Sequence, residues 1–520
     1  MRPALIFSLA ILHAWQILAA PGGKATAVAV GPADVSSVSI EIKPEPQTPV
    51  AAQRIYRVMP VGDSITQGGS NFDSYRYPLW EKLFTAGYLI EYVGSRTNQS
   101  RIGPLHHEGY GGKTVEYLAT TAARSFQKYP VDIVLLHAGH NHTAEKHPVN
   151  GIIAATAALI GSFRAANPQV IVLLAQVIPS GKLPKYSYIP QLNQELGELA
   201  KRLHTAKQPV ILVNQAEGFD WTTDTIDDLV HPNARGAEKM AARWFEALTQ
   251  VMEKPKQSFH PRIVPYKKVG AAQLTLHVFA PPDKTAPESR PAIVFFFGGG
   301  WKVGSPVQFY PECAHFAAEG LVAISADYRI ATLHHSTPFE SVADGKSAIR
   351  WVRQHAQELG VDPRRIIAAG ASAGGQVAAA TALVPGLDDP AEDKAIRSQP
   401  NALLLWYAVV DNGPTGYGYS QVKERYREIS PFHNIAGNIP PTLFFLGTKD
   451  ALIPVQTAVA FKQRIEEAGG RCDLKLFEGA SHGIYSYRKG DSIYRHEVLS
   501  AADAFLAALG FLPPKADRLK

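Results

Sequence analysis

From Ile55 onward, short apolar runs alternate with stretches in which apolar residues recur every third or fourth position. The runs Ile55–Val61, Val131–Leu136, Val170–Val177 and Val210–Val213 have strand length. Between and after them, Tyr77–Ala86, Thr114–Ser125, Ile152–Ala166, Gln191–His204 and Ala234–Val251 carry helical spacing. Such alternation predicts a parallel sheet covered by helices on both faces. The polar, proline-bearing stretch Glu253–Ser258 then breaks the pattern and predicts a domain boundary. A second series follows. Ile263–Val269 and Gln273–Phe279 predict an antiparallel pair. Ala292–Phe297, Val322–Ala326, Arg365–Ala369, Leu403–Ala408, Thr442–Leu446 and Asp473–Phe477, with helical stretches between, predict another α/β unit. The expected organisation is one domain over 54–252, a linker over 253–261 and a second domain over 262–520. No repeat of about 20–50 residues is present, which argues against a solenoid.

The N-terminal residues read differently. Arg2 precedes apolar stretches at Ala4–Leu12 and Ile17–Ala20, and Pro21-Gly22-Gly23 ends them. A basic start, a short apolar core and a small-residue end predict a cleaved signal peptide over 1–20, hence a secreted or periplasmic protein with no membrane partner after cleavage. His13 and Gln16 make the run a poor spanning helix, and no later segment reads as the roughly 20 apolar residues a span requires. Residues 21–53, rich in Ala, Val, Pro, Ser and Thr without a helical stripe, predict a linker.

Composition narrows the classes. The 520 residues suggest two to four domains at about 150 residues each. With 46% hydrophobic and 19% charged residues, a disordered or fibrous chain is excluded. Lys plus Arg (52) exceeds Asp plus Glu (46) by only 6, with no dense basic cluster, which argues against a nucleic-acid partner. The two cysteines, Cys313 and Cys472, exclude a disulfide-stapled scaffold, and the sequence leaves open whether they pair.

Two constellations carry chemistry. Val58-Met59-Pro60-Val61-Gly62-Asp63-Ser64 places a serine just past an apolar strand, where reactive groups of an open parallel sheet collect. A nucleophilic serine needs a base, and the base needs an orienting acid. Asp228-Leu229-Val230-His231 supplies both three residues apart, so one turn can bring the carboxylate to the imidazole. The Gly111-Gly112 backbone, the Asn141 amide and the Ser64 N–H are candidate oxyanion donors. His137, His140, His142 and His147 match no metal-ligand spacing, so no metal is expected. Gly62-Asp63-Ser64, Gly112, Gly139-His140-Asn141 and Asp228-Leu229-Val230-His231 resemble, in order, the four blocks of the SGNH (GDSL-type) hydrolases. The flanking residues are most similar to the branch containing acetylxylan esterases. The resemblance implies a flavodoxin-like α/β/α sandwich, catalytic Ser64, His231 and Asp228, and an oxyanion site of Ser64, Gly112 and Asn141. One departure is Asn141-His142, where the family's third block ends Asn-Asp.

The second constellation is Ile366-Ile367-Ala368-Ala369-Gly370-Ala371-Ser372-Ala373-Gly374-Gly375, a strand, a G-x-S-x-G turn and an Ala-rich helix. Small residues at 370 and 374 permit the sharp elbow that holds Ser372 at its tip. Acid and base should follow in that order. Asp450 follows the strand Thr442–Leu446, and His482 follows the next one; Asp411 and Glu478 compete as acids, and Asp450 is preferred. Phe297-Gly298-Gly299-Gly300-Trp301 follows another strand and offers Gly299 and Gly300 N–H groups, with that of Ala373, as oxyanion donors. With Asp327-Tyr328-Arg329 and Asp362-Pro363-Arg364, which are expected to be structural, this half resembles hormone-sensitive-lipase-like α/β-hydrolases, closest to bifunctional feruloyl and acetylxylan esterases. Phe297 stands where that loop normally begins with His. The Tyr-rich insertion between Asp411 and Asn434 either overhangs the pocket or packs on the core.

The expectation is an exported serine esterase with two sites, acting without cofactors on esterified polysaccharide, its oligomeric state undetermined. Two alternatives are a protein in which one domain is a silent binding module, and a lipase acting on acyl lipids.

Overall fold

The computed structural model describes residues 39–41, 54–72, 74–282, 289–483 and 494–513. The stretch expected as a signal peptide lies outside the described residues. In chain order the strands are β1 (Ser39–Glu41), β2 (Ile55–Gly62), β3 (Leu89–Tyr92), β4 (Arg96–Ser100), β5 (Gly103–Gly109), β6 (Ile133–His137), β7 (Ile171–Gln176) and β8 (Val210–Asn214). They continue as β9 (Arg262–Val269), β10 (Ala272–Phe279), β11 (Arg290–Phe296), β12 (Val322–Ala326), β13 (Val361–Ala371), β14 (Ala402–Trp406), β15 (Thr442–Gly447) and β16 (Cys472–Phe477).

The first sheet runs β4-β5-β2-β6-β7-β8, with β3 also paired to β2. Every pairing in it is parallel except β4 with β5. Successive residues of its central strands β2, β6 and β7 point to opposite faces, and both faces are buried there. Met59, Val61, Val134, Leu136, Val172 and Leu174 enter one core with the helices Val115–Lys128, Val149–Ala166 and Ile189–Leu203. Their neighbours Val58, Ile133, Leu135 and Leu173 enter another with Arg76–Thr85 and Ala234–Val251. The helix Val149–Ala166 starts earlier than its periodicity suggested and is long and apolar enough, by length and composition, to cross a membrane. Here Ile152, Leu159, Ile160 and Phe163 bury its apolar face against the sheet.

The second sheet runs β1-β16-β15-β14-β13-β11-β12-β10-β9, parallel from β1 through β12, with β10 antiparallel to both β12 and β9. Together these are two α/β domains with mostly parallel sheets. Two segments expected as linkers carry structure. Ser39–Glu41 pairs with Lys475–Phe477, covering an edge whose backbone groups would otherwise be open. Between the domains, Phe259 donates its N–H to Thr85 O at 2.8 Å and stacks on Phe84 with ring centroids 6.2 Å apart. Burying such a ring contributes about 1.5–3 kcal/mol, enough to hold a short connection against its neighbours. Cys313 and Cys472 are both buried free thiols, so they do not pair.

Candidate active sites

Ser64 opens the short helix Ser64–Gln67 at the carboxyl end of β2, and the N-cap is Asp63, whose Oδ1 accepts the Ile65 N–H at 3.0 Å. Ser64 Oγ lies 2.8 Å from His231 Nε2, and His231 Nδ1 lies 2.5 Å from Asp228 Oδ2. The other Asp228 oxygen accepts the N–H groups of Val230 and His231, both at 2.9 Å. Partial burial pushes the Asp228 carboxyl up, but these hydrogen bonds outweigh it and hold the group below the ordinary Asp value. The Gly111–Lys113 loop closes over the serine. A Cβ on Gly111 would stand 3.6 Å from the Ser64 Cβ, and Gly112 follows at φ +73°. Asn141 is tied to the same loop by Nδ2 donating to Lys113 O at 3.0 Å. The structure thus brings Ser64, Gly112, Asn141, Asp228 and His231 to one edge of the sheet.

The Asn141-His142 departure is taken up locally, since His142 Nε2 sits 3.0 Å from a Glu116 carboxylate oxygen. His137 and His140 are buried, and burial pushes both below the usual histidine range, His137 to about 4. His140 Nε2 bonds Ile178 O at 2.8 Å, while its Nδ1 faces Asp63 at 3.9 Å.

In the second domain Ser372 occupies φ +53°, ψ −121° between β13 and the helix Ala373–Leu383. A non-glycine residue there is strained and held by its surroundings. A Cβ on Gly370 would lie 2.4 Å from Gly374 O, and one on Gly374 would lie 2.1 Å from Phe296 O, so the elbow needs both glycines. Ser372 Oγ is 3.0 Å from His482 Nε2, and His482 Nδ1 is 2.8 Å from Asp450 Oδ2. Asp450 Oδ1 accepts from Leu452 and Ile453 N–H at 2.8 and 2.9 Å. The competing acids lie elsewhere. Asp411 pairs with His433 at 3.6 Å, and Glu478 is exposed.

The glycine loop lies against Ser372, since a Cβ on Gly298 would be 3.4 Å from the Ser372 Cβ. Gly298 N–H is committed to Gln308 Oε1 at 2.8 Å. Among the described residues, no acceptor takes the N–H of Gly299 or Gly300. Ala373 is the first residue of its helix, where the backbone N–H has no intrahelical partner. None of these three N–H groups has a backbone acceptor among the described residues. Phe297 stacks on Tyr328 with centroids 4.1 Å apart, and the Tyr328 hydroxyl donates to Phe297 O at 2.6 Å. Arg329 forks onto Asp344 at 2.7 and 2.9 Å, and Asp362 caps the Arg364 N–H at 2.9 Å, both structural. The tyrosines of the insertion divide. Tyr417 places its hydroxyl 3.1 Å from where a Gly300 Cβ would stand, beside Trp301, while Tyr426 packs edge-on against His433.

Two residues that touch His231 and His482 left no sequence signal. Phe72 stacks on His231 with centroids 4.2 Å apart, and Tyr407 meets His482 edge-on at 4.8 Å. Phe72 sits in a polar, aperiodic stretch, and Tyr407 follows a uniformly apolar strand, so neither stands out from its neighbours. Each arrangement can take a proton from the serine at Nε2 and stabilise the resulting imidazolium at Nδ1.

Residues 61–239 match the GDSL-like Lipase/Acylhydrolase family, and residues 276–465 match the BD-FAE family. The chain is similar to Esterase LipC of Mycobacterium tuberculosis, 31% identical over 225 residues that cover 37% of this chain and 53% of that protein. It is also similar to Carboxylesterase NlhH of the same organism, 34% identical over 151 residues that cover 29% and 45%. The chain thus spans about half the length of the curated relatives it matches. Among solved structures, esterase 2 of Thermogutta terrifontis phosphoramylated by tabun is 46% identical, covering 49% of this chain and 97% of that one at a TM-score of 0.47.

Proposed function

We propose that this chain, built from a GDSL-like hydrolase domain and a BD-FAE α/β-hydrolase domain, is an exported carboxylic-ester hydrolase with two independent serine sites. The substrate class we favour is plant cell-wall polysaccharide carrying acetyl, and in part feruloyl, esters. The observation that carries the reading is the pair of separate hydrogen-bonded chains, Ser64–His231–Asp228 and Ser372–His482–Asp450. At each, the imidazole Nε2 removes the serine proton as Oγ attacks the ester carbonyl, and the protonated ring then gives that proton to the departing alcohol. The same nitrogen next activates water to release the acid. Developing charge on the carbonyl oxygen is met by N–H groups of Ser64 and Gly112 with the Asn141 amide in one domain, and by Gly299, Gly300 and Ala373 in the other.

Support for the substrate class is the near-balanced charge, which suits a neutral sugar ester, and the aromatic pair Tyr417 and Trp301 beside Gly300, residue types suited to a sugar or aryl ring. Two esterases on one chain would raise the local concentration of the second on a shared polymer. Export rests on the residue pattern before Pro21. The test is acetate and ferulate release from native acetylated xylan by Ser64→Ala, Ser372→Ala and the double variant. Each single variant should lose one activity and the double variant all of it. Full activity in the double variant overturns the reading, and a fluorophosphonate that labels only one serine reduces it to a single working site.

A further inference from the structure

The loop that presents Gly299 and Gly300 is not held by its own domain alone. Its first part is pinned from within: Tyr328 bonds Phe297 O, Gln308 takes Gly298 N–H, and the Ala331 and Thr332 N–H groups donate to Trp301 O and Lys302 O at 3.0 and 3.1 Å. Its end is pinned from the other domain. Arg101, at the tip of the β4–β5 hairpin, accepts the Gly304 N–H on its carbonyl at 2.5 Å and returns Nε–H to Gly304 O at 2.9 Å. Its guanidinium binds the buried Asp327 carboxylate and lies over the Phe297 ring, 5.9 Å from the centroid. The next loop residue, Ser305, donates to Glu81 Oε1 of the first domain at 3.2 Å.

We propose that the N-terminal domain completes the C-terminal site, with Arg101 as the positioning residue that sets the Phe297–Gly304 oxyanion loop. Gly299 Cα is followed by a reversal so tight that a Cβ there would meet Val303 O at 2.0 Å, so a shift at Gly304 moves the very turn that aims the two donors. Phe297 cannot hydrogen-bond through its ring. It stacks on Tyr328 and lies within cation–π range of Arg101, which fixes the start of the loop by packing. No other cation among the described residues lies within ion-pair distance of Asp327. The adjacent Arg329 spends its guanidinium on Asp344. Removing Arg101 therefore leaves a buried carboxylate unpaired beneath the loop. The inference rests on Ser372 being the nucleophile of an esterase site, and the test separates the two claims.

The experiment uses the full chain carrying Ser64→Ala, so that hydrolysis of p-nitrophenyl acetate reports Ser372 alone. Adding Arg101→Ala should lower kcat by roughly 10- to 100-fold, the scale of a misplaced oxyanion donor, with KM changed less than about twofold. Inhibition by phenylboronic acid, whose tetrahedral adduct occupies the same donors, should weaken by the same factor as kcat. Arg101→Lys, which keeps charge but loses the fork, should fall between. Hydrogen exchange of the 298–304 amides should quicken in Arg101→Ala and in Asp327→Asn, while exchange in β13 stays that of the parent. A merely structural contact would lower the melting temperature without moving the boronate affinity or the kcat-to-KM split. Unchanged loop exchange, or kcat and boronate affinity within twofold of the parent, overturns the proposal. If the Ser64→Ala parent itself neither hydrolyses ester nor labels at Ser372, the esterase reading falls, and the exchange data still decide the brace.

Discussion

Asp228 and His231 lie three residues apart on one loop, whereas Asp450 and His482 come from the ends of neighbouring strands 32 residues apart. Both acids use one oxygen for two backbone N–H groups and offer the other to the imidazole. They differ in their surroundings. The Asp228 side chain is 35% exposed and that of Asp450 is 0% exposed, although the two histidines are similarly open at 23% and 21%. The first site is assembled by local geometry in contact with water. The second is assembled by the sheet, in a dry environment where each charge interacts more strongly and tolerates less loss.

That contrast is most sharply tested by deleting the acids. Asp450→Ala should lower Ser372-dependent kcat by about 10³–10⁴-fold, because the imidazole loses an orienting charge from a fully buried position. Asp228→Ala should lower Ser64-dependent kcat by only about 10–100-fold, since water can enter and partly replace the carboxylate. Initial rates in Ser64→Ala and Ser372→Ala backgrounds measure the two losses separately, and equal losses would break the comparison.

The oxyanion glycines give a smaller split. Gly299→Ala drives a Cβ to 2.0 Å from Val303 O, so the loop must move, and kcat should fall about 100-fold. Gly112→Ala meets open space and bears only the left-handed backbone cost of about 1–2 kcal/mol. Ser64-dependent kcat should drop no more than a few-fold, and a loss as large as that of Gly299→Ala would show that the Gly112 turn is equally constrained.

Acid should separate the domains least, but in a fixed direction. Burial lowers His107 to about 3 and His137 to about 4, and lowers His140 with them, in the first domain; in the second it lowers His277 to about 4 and lowers His334 and His433 as well, so two histidines at about 4 or below stand against one. An unfolded chain binds these protons near pH 6.5, whereas His107, His137 and His277 in the folded one do not until near pH 4 or below. The unfolded state therefore holds more protons throughout that window, and stability is present above about pH 6.5 and is lost as pH falls. The temperature at which phosphonate labelling of Ser64 is lost should drop by more between pH 7 and pH 5 than that for Ser372. A His137→Gln variant should flatten the pH dependence of the Ser64 domain.

Local rules made much of this protein legible. The strand-turn-helix signature around Ser372 and the i,i+3 pair Asp228–His231 are short-range constraints, so the residues that satisfy them are neighbours in the chain. Apolar periodicity located the central strands of both sheets because each of their residues faces a core. The β4–β5 hairpin escaped because Arg96–Ser100 is polar throughout, as an edge strand open to solvent can be. Likewise the packing of Phe259 and the stacking of Phe72 on His231 have no period to reveal them.

What the sequence by itself determined, then, is two α/β units in order and, in each, the serine, aspartate and histidine that the fold joins by hydrogen bonds. Hydrophobic spacing and turn chemistry act within a few residues and leave a readable trace. Only the tertiary structure decided that Cys313 and Cys472 stay apart, that Tyr417 rather than Tyr426 faces the oxyanion loop, and that Arg101 meets Asp327 across 226 residues. A periodic pattern tells a side chain that it faces a core but not which one, and a single ion pair between domains leaves no pattern at all.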